Sequence, residues 1–350
     1  MSTDMRTPRG LGARRWPKFA VVAAISALVL GGCVRNAPQD ALKPRGSVSR
    51  QLNNLFVPVF WIAVVVFCLV AGLVLFCIVR FRARSDDEAP KQIHGHTRLE
   101  ITWTIIPALL LAVIAVPTVL TVFDINRIPT NAMQVAVTGH RWWWQYDYQD
   151  TADPSKVLFS TANELHIPAG QKVVISLTSV DVIHNFWPPA LAGKVYAIPG
   201  RHNRLVIEAD HPGTYYGQCA EYCGLSHANM RLRVIADTPQ DFQTWMQSQE
   251  QGPVQPSSAD ATAGLQLFTG GTGCSGCHTI TGISSGLTGP NLTHFKSRSV
   301  FAGSIFDNTD PNLQAWLRNP PAEKPGSVMP NLNLSEDQIT KLVAYLDTLR

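Results

Sequence analysis

Two uncharged apolar runs, Leu55 to Val79 and Trp103 to Phe123, restrict this chain more than anything else in it. Crossing a bilayer core takes roughly 20 apolar residues of helix, and each run is long enough. Inside lipid no water can satisfy the main chain, so such a run has to be helical. Pro107 and Pro117 interrupt the second run, which membrane helices tolerate better than soluble ones. Arg80, Arg82 and Arg84 follow the first run directly, and positive charge beside a span marks the cytoplasmic side. The pattern predicts a transmembrane hairpin, with everything after Asp124 outside the cytoplasm. Cys68 and Cys77 fall within the first span and read as small apolar packing residues.

Ahead of the hairpin, Arg6, Arg9, Arg14, Arg15 and Lys18 lead into an apolar stretch, Phe19 to Leu30, too short to span. That is the layout of a secretory signal. Leu30-Gly31-Gly32-Cys33 resembles a bacterial lipoprotein signal, which would leave Cys33 lipidated as the first mature residue. An ordinary signal followed by cysteine fits the same letters. The net charge of +4 sits largely in this segment and is no signature of nucleic-acid binding.

From Met133 to Ile235 the chain turns to short β-type runs: Gln134 to Thr138, Lys172 to Leu177 and Arg204 to Glu208. Turn residues at Pro168-Ala169-Gly170, Pro199-Gly200 and Pro212-Gly213 separate them, which argues for an all-β sandwich or barrel of about 100 residues. Its chemistry lies between Cys219 and Met230, where Cys219, Cys223, His227 and Met230 crowd together, with His184 on an earlier loop. A Cys219–Cys223 disulfide beside a buried His and Met is one reading, and zinc is another, although thioether is a poor zinc ligand. Soft thiolate and thioether with imidazole select copper. A mononuclear blue-copper site needs one cysteine; two cysteines with the same complement can serve two copper ions.

Asp237 to Asp260 reads as a bridge, with a short helix over Asp241 to Glu250 and linker composition from Gln251 to Ser258. Then Cys274-Ser275-Gly276-Cys277-His278 has the spacing for covalent haem attachment, the thiols binding the vinyl groups and the imidazole reaching iron. A disulfide or redox pair is the alternative. Met329 in Ser327-Val328-Met329-Pro330 is the candidate sixth ligand, with His294 as the other choice. Ser335 to Leu349 carries the cap, acidic first turn and apolar spacing of a closing helix. An odd total of seven cysteines, so spaced, fits a disulfide framework poorly.

From Asn53 onward nearly the whole chain resembles subunit II of the bacterial cytochrome c oxidases, caa-type haem–copper enzymes with a cytochrome c domain fused at the C-terminus. The residues that carry this are Leu99 to Pro107, Gly139 to Tyr148, Ser179 to His184, Cys219 to Met230, and the haem motif with Gly289-Pro290-Asn291-Leu292. The resemblance implies a multidomain membrane protein: signal 1–32, hairpin segment 33–130, cupredoxin-like barrel 131–237, linker 238–258 and an all-α cytochrome c domain 259–350. It implies that Cys219 and Cys223 bridge two copper ions. His184 and His227 would terminate one copper each, with Met230 and the main-chain carbonyl of Glu221 completing the set. The Glu221 side chain, a hard oxygen donor, would help hold Mg²⁺ at the boundary with subunit I. Trp142 matches an exposed tryptophan at which electrons arrive. Glu100, otherwise an interfacial carboxylate, matches the mouth of a proton pathway. Tyr196 stands where the family commonly has aspartate, which puts in doubt any contact of that acid with subunit I.

The implied partners are subunit I, subunit III, an external cytochrome c or another respiratory donor, and the lipid bilayer. The implied place is the bacterial inner membrane, with the barrel and cytochrome in the periplasm. A Met/His haem raises the reduction potential, as a donor late in a respiratory chain requires. Three rivals stand beside this reading. Nitrous oxide reductase shares the copper pair but has a catalytic domain without counterpart here. A quinol oxidase subunit II shares the hairpin without copper ligands. A membrane-anchored metal-binding or sensing protein would have no catalytic partner.

Overall fold

A computed structural model describes residues 37–82, 92, 94–130 and 132–350, together with 21 and 24–26. Cys33 and the proposed signal cleavage site lie outside the described residues, as does Arg84.

Two long helices open the described chain: α1, Ser47–Arg80, and α2, Thr97–Ile125. Both outrun the apolar stretches that predicted them. Their large side chains, Trp61, Phe67, Leu111 and Phe123 among them, stay exposed on the chain itself, as lipid-facing surface requires. Prolines 58, 107 and 117 are carried inside these helices. Gln51 Nε2 donates to Asp124 at 2.7 Å and ties the outer ends of the two helices together.

The first turn of α1 is embedded in the following domain. Arg45 N–H donates to the Ala190 carbonyl (2.7 Å), Ser49 N–H to that of Leu191 (3.1 Å), and Asp210 N–H to that of Arg45 (2.8 Å). A Cβ on Gly46 would stand 2.0 Å from the Glu208 carbonyl oxygen, so only glycine permits this approach.

That domain is built of ten strands. They are β1 Met133–His140, β2 Trp143–Gln149, β3 Val157–Ala162, β4 Glu164–Pro168, β5 Val173–Ser179, β6 His184–Trp187, β7 Val195–Ala197, β8 Asn203–Ile207, β9 Gly213–Cys219 and β10 Arg231–Asp237. One sheet has the order β3-β2-β1-β5-β8 and the other β4-β10-β9-β6-β7. Alternate residues face inward along β1 and β2, so Val135, Val137, Trp144, Tyr146 and Tyr148 are buried between the sheets. An aromatic side chain that buries roughly 150–250 Å² contributes at most about 4–6 kcal/mol, and this layer is the main stabilising block of the barrel.

The short helix expected in the bridge is present and packs on the barrel. Thr238 caps α3, Pro239–Gln249, by accepting from Asp241 N–H. Phe242 is buried, and Trp245 stacks on His166 with centroids 4.2 Å apart. The first half of the expected linker 238–258 is thus part of the barrel's packing.

The last unit comprises α4 Ala259–Thr269, α5 Asp310–Arg318, the single turn α6 Pro320–Glu323, and α7 Glu336–Leu346, with two strand pairs of two residues each. Ser335 and Gln338 form a capping box at the start of α7. This helix buries Ile339, Leu342, Val343 and Leu346 as its spacing predicts, and Gly264 of α4 lets it approach closely.

Candidate metal centre and haem cavity

The β9–β10 hairpin presents the cysteine loop. Gln218 pairs with Arg231, and Cys219 N–H donates to the Met230 carbonyl at 2.8 Å, so the loop's two ends are pinned together. Beside it, β6 pairs with β9 in a register that sets Phe186 opposite Cys219. His184, at the start of β6, is thereby carried to the same end of the sheet.

Five soft or borderline donors converge there. The two sulfurs, Cys219 and Cys223, lie 3.8 Å apart. That is far beyond the roughly 2.05 Å of a disulfide, and each of the six described cysteines is a free thiol. His184 Nδ1 stands 3.9 Å from Cys219 Sγ, and His227 Nδ1 3.6 Å from Cys223 Sγ. Met230 Sδ is 3.9 Å from Cys223 Sγ, and the Glu221 carbonyl 3.2 Å from Cys219 Sγ. An imidazole flanks each side of a sulfur pair, a donor set that suits two copper ions better than one zinc. These residues fit the pair.

The electrostatics favour thiolate at one of the two sulfurs. A hydrogen bond from Cys223 holds the Cys219 thiol well below its ordinary range, and His184 adds to this against the opposing effect of burial. Cys223 is driven up by the same partner, so the two sulfurs share one proton until a cation replaces it. Behind the site, Asp181 Oδ1 lies 2.8 Å from His184 Nε2. Burial opposes its ionisation, but His184 and the main-chain N–H groups of Val182 and Arg141 hold its carboxyl down, to about 2. A ring nitrogen bonded to a carboxylate directs the other nitrogen at the sulfurs. Gly139 makes room: a Cβ there would stand 2.7 Å from His184 Cδ2.

A second site faces this one from the cytochrome unit. Cys277, His278 and Met329 line one cavity, and His278 N–H reaches back to the Cys274 carbonyl at 3.0 Å across the intervening turn. Cys274 Sγ lies 3.2 Å from Thr272 Oγ1. His278 Nδ1 donates to the Pro290 carbonyl at 2.8 Å, which leaves Nε2 with the lone pair a metal could take. Burial holds this imidazole below its usual pKa and so favours the neutral form, the one able to bind a metal. A Cβ on Gly289 would come within 2.4 Å of the ring. Arg298 supplies the test of fit. It is buried against the same cavity, its Nη2 bonds the Asn291 carbonyl, and its Nε has no partner among the described residues. A buried cation with an orphaned donor suits an acidic substituent, such as a haem propionate. His294 faces elsewhere: its ring nitrogens lie against the carbonyls of Arg350 (2.8 Å) and Gln251 (3.0 Å).

Trp142 requires a correction. Expected to be exposed, it is only 7% accessible, because the cytochrome unit lies over it. Its ring lines the haem cavity with Trp143, while its Nε1–H donates to the Cys223 carbonyl at 3.0 Å. Glu100 is exposed in the first turn of α2, far along the chain from either site. Tyr196, on β7, is exposed. Sequence reasoning passed over Asp181, although it lies inside the quoted His184 segment. It also missed Arg298 and Lys324, which no local pattern marks.

Residues 39–120 match the family described as cytochrome c oxidase subunit II, transmembrane domain, and residues 154–237 its periplasmic domain. Residues 261–350 match cytochrome c. Among curated relatives, cytochrome c oxidase subunit 2 of Alkalihalophilus pseudofirmus is 37% identical over 331 residues, covering 92% of this chain and 94% of the relative. That of Bacillus sp. strain PS3 is 33% identical, covering 97% and 99%. That of Bacillus subtilis is 31% identical, covering 96% and 98%.

Proposed function

The chain belongs to the cytochrome c oxidase subunit 2 family, a component of a haem–copper oxidase complex, and from that premise we propose its particular part in respiration. It takes electrons through its own covalently bound haem c to a binuclear copper centre and delivers them to the haem of subunit I. There oxygen is reduced to water, coupled to proton translocation. The observation that supports this best is the loop itself, two sulfurs 3.8 Å apart flanked by two imidazoles and a thioether.

Cys219, Cys223, His184, His227, Met230 and the Glu221 carbonyl would hold the copper ions, and Cys274, Cys277, His278 and Met329 the haem. Bound there, these groups supply one-electron chemistry that no side chain of the chain offers. The protein's work is placement. Asp181 orients His184, Pro290 orients His278, and Arg298 offers charge to a propionate. The Trp142 indole lies against the haem cavity and bonds the copper loop, so a single side chain touches both sites. The Glu221 side chain would share Mg²⁺ with subunit I. Glu100 would deliver protons to it.

The remaining proposals follow the same reading: a lipid-modified Cys33 after a cleaved signal, a bacterial inner-membrane location with both redox domains in the periplasm, and subunits I and III as neighbours. An external cytochrome c or another donor would meet the cytochrome unit, since Trp142 is covered. The test is metal analysis, haem assay and EPR on the purified complex. Two coppers sharing one unpaired electron, with one haem c per chain, are expected. A single-copper spectrum or native zinc would overturn the proposal.

A further inference from the structure

Lys324 has no part in the function described so far. It is 3% exposed and lies on the segment leading to Met329. Its Nζ donates to the carbonyl of Trp142 at 2.6 Å and to that of Ala302 at 2.7 Å. The first acceptor belongs to the copper-bearing barrel and the second to the cytochrome unit. An ammonium is costly to bury unless it is hydrogen-bonded, and an apolar side chain would fill the same space without that cost. Burial pushes its pKa down, to about 7, against the attraction of Cys223. A buried cation kept at a contact between two units specifies one arrangement of them over others.

The second half of the contact is strained. Ala302, Gly303 and Ser304 carry φ of 53°, 82° and 61°, three successive left-handed residues of which only one is glycine. This turn is pressed against the barrel. Arg231 N–H donates to the Gly303 carbonyl at 2.9 Å, and Ser304 Oγ donates to the Asn163 carbonyl at 3.1 Å. A Cβ on Gly303 would meet Lys324 Nζ at 2.5 Å, the Trp142 carbonyl at 2.6 Å and the Asn229 carbonyl at 2.7 Å. The main chain that receives the ammonium is that of Trp142, whose ring reaches the copper loop and the haem cavity.

We propose that Lys324 and the left-handed turn Ala302–Ser304 form a clasp that holds the cytochrome unit docked on the copper-bearing barrel, with Lys324 the positioning residue for electron transfer across Trp142. The transfer part rests on the function proposed above; the clasp itself does not. A domain on a tether samples many placements, and only a docked one brings two redox sites close at once. The clasp selects that placement before any electron arrives, so transfer within the chain needs no docking step.

The experiment uses the assembled oxidase carrying Lys324→Met, and separately Gly303→Ala, whose Cβ would press on Lys324 Nζ and on the Trp142 and Asn229 carbonyls and so prise the turn away without removing the lysine. Hydrogen exchange at the Arg231 amide reads the contact directly. Loss of a charge-assisted hydrogen bond is expected to speed it about tenfold or more, with β1 and β2 unchanged. Photo-initiated transfer from the cytochrome unit to the copper-bearing unit should be indifferent to added glycerol in the parent. In both variants it should slow and fall further with viscosity, because docking becomes a step. An unchanged methionine signature in the haem spectrum shows that the cytochrome unit is intact, which mere unfolding would not leave. Parent-like Arg231 exchange in both variants, or transfer still indifferent to viscosity, overturns the clasp. A parent complex without copper and haem signals would fail the functional reading instead, while the exchange result still decides the clasp.

Discussion

Gly139→Ala isolates what the barrel does for the copper centre, because it adds one methyl and replaces no ligand. Gly139 sits in β1, paired with Trp144 on one side and Ser179 on the other. The added Cβ would stand 2.7 Å from His184 Cδ2, 3.2 Å from its Cγ and 3.3 Å from Trp144 Cζ3. Trp144 cannot give way, being fully buried with its ring edge-on to Phe186 at 5.2 Å. His184 must therefore move, and it does so against its bond to Asp181. Overpacking of this kind costs about 1–3 kcal/mol. If the imidazole takes up most of that displacement, copper binding weakens roughly 5- to 150-fold. The assay is a copper titration against a competing chelator, with thermal unfolding of the protein before and after loading. The stabilisation gained on loading should shrink in Gly139→Ala, while Gly252→Ala, with nothing within 4 Å of its Cβ, should match the parent. A folded Gly139→Ala protein with parent copper affinity and an unaltered copper spectrum would show that the ring is not held as argued.

Met329→Ala should keep haem attached through Cys274 and Cys277 but lose the methionine-to-iron absorption band and lower the reduction potential; an unchanged spectrum would remove Met329 from the iron. Glu100→Ala should slow turnover per assembled complex while copper reduction keeps its rate, and Glu100→Asp should restore part of it. Full-speed turnover in a poorly assembled Glu100→Ala enzyme would make this residue an interfacial anchor only. Mass spectrometry of the mature N-terminus should find a diacylglyceryl cysteine at Cys33, whereas an unmodified chain that retains Met1 refutes the modification. Cys33→Ser should leave the protein in the membrane, since two spans outweigh one lipid.

What the sequence disclosed and what it withheld divide by range. The copper loop was legible because its donors lie within one hairpin, and the haem motif because its thiols and imidazole are nearly adjacent. Strands β1, β5 and β8 were visible as β-branched runs between turns, and α7 as a capped apolar stripe. The helix in the bridge was legible, but its docking was not: Trp245 packs on Tyr148, Phe159 and His166 well upstream, with Phe242 beside it. Trp142 misled for a related reason: the residues that cover it come from the far end of the chain. Burial imposed by one domain on another leaves no period in either. Lys324 and Arg298 show the same limit, being charged letters that would ordinarily be assigned to the surface.

The embedded first turn of α1 also settles the height of the barrel. A helix of 34 residues rises about 51 Å, whereas the hydrocarbon slab is about 30 Å thick. The apolar stretch begins only at Leu55, so the turns from Ser47 to Asn54 stand about 12 Å proud of it. They end in the main-chain bonds to Ala190 and Leu191, with no flexible joint between helix and sheet. The barrel is therefore mounted like a lamp on a rigid post, and tilting the helix in the membrane would tilt the copper loop with it. A thicker bilayer that straightens α1 would swing the loop with it.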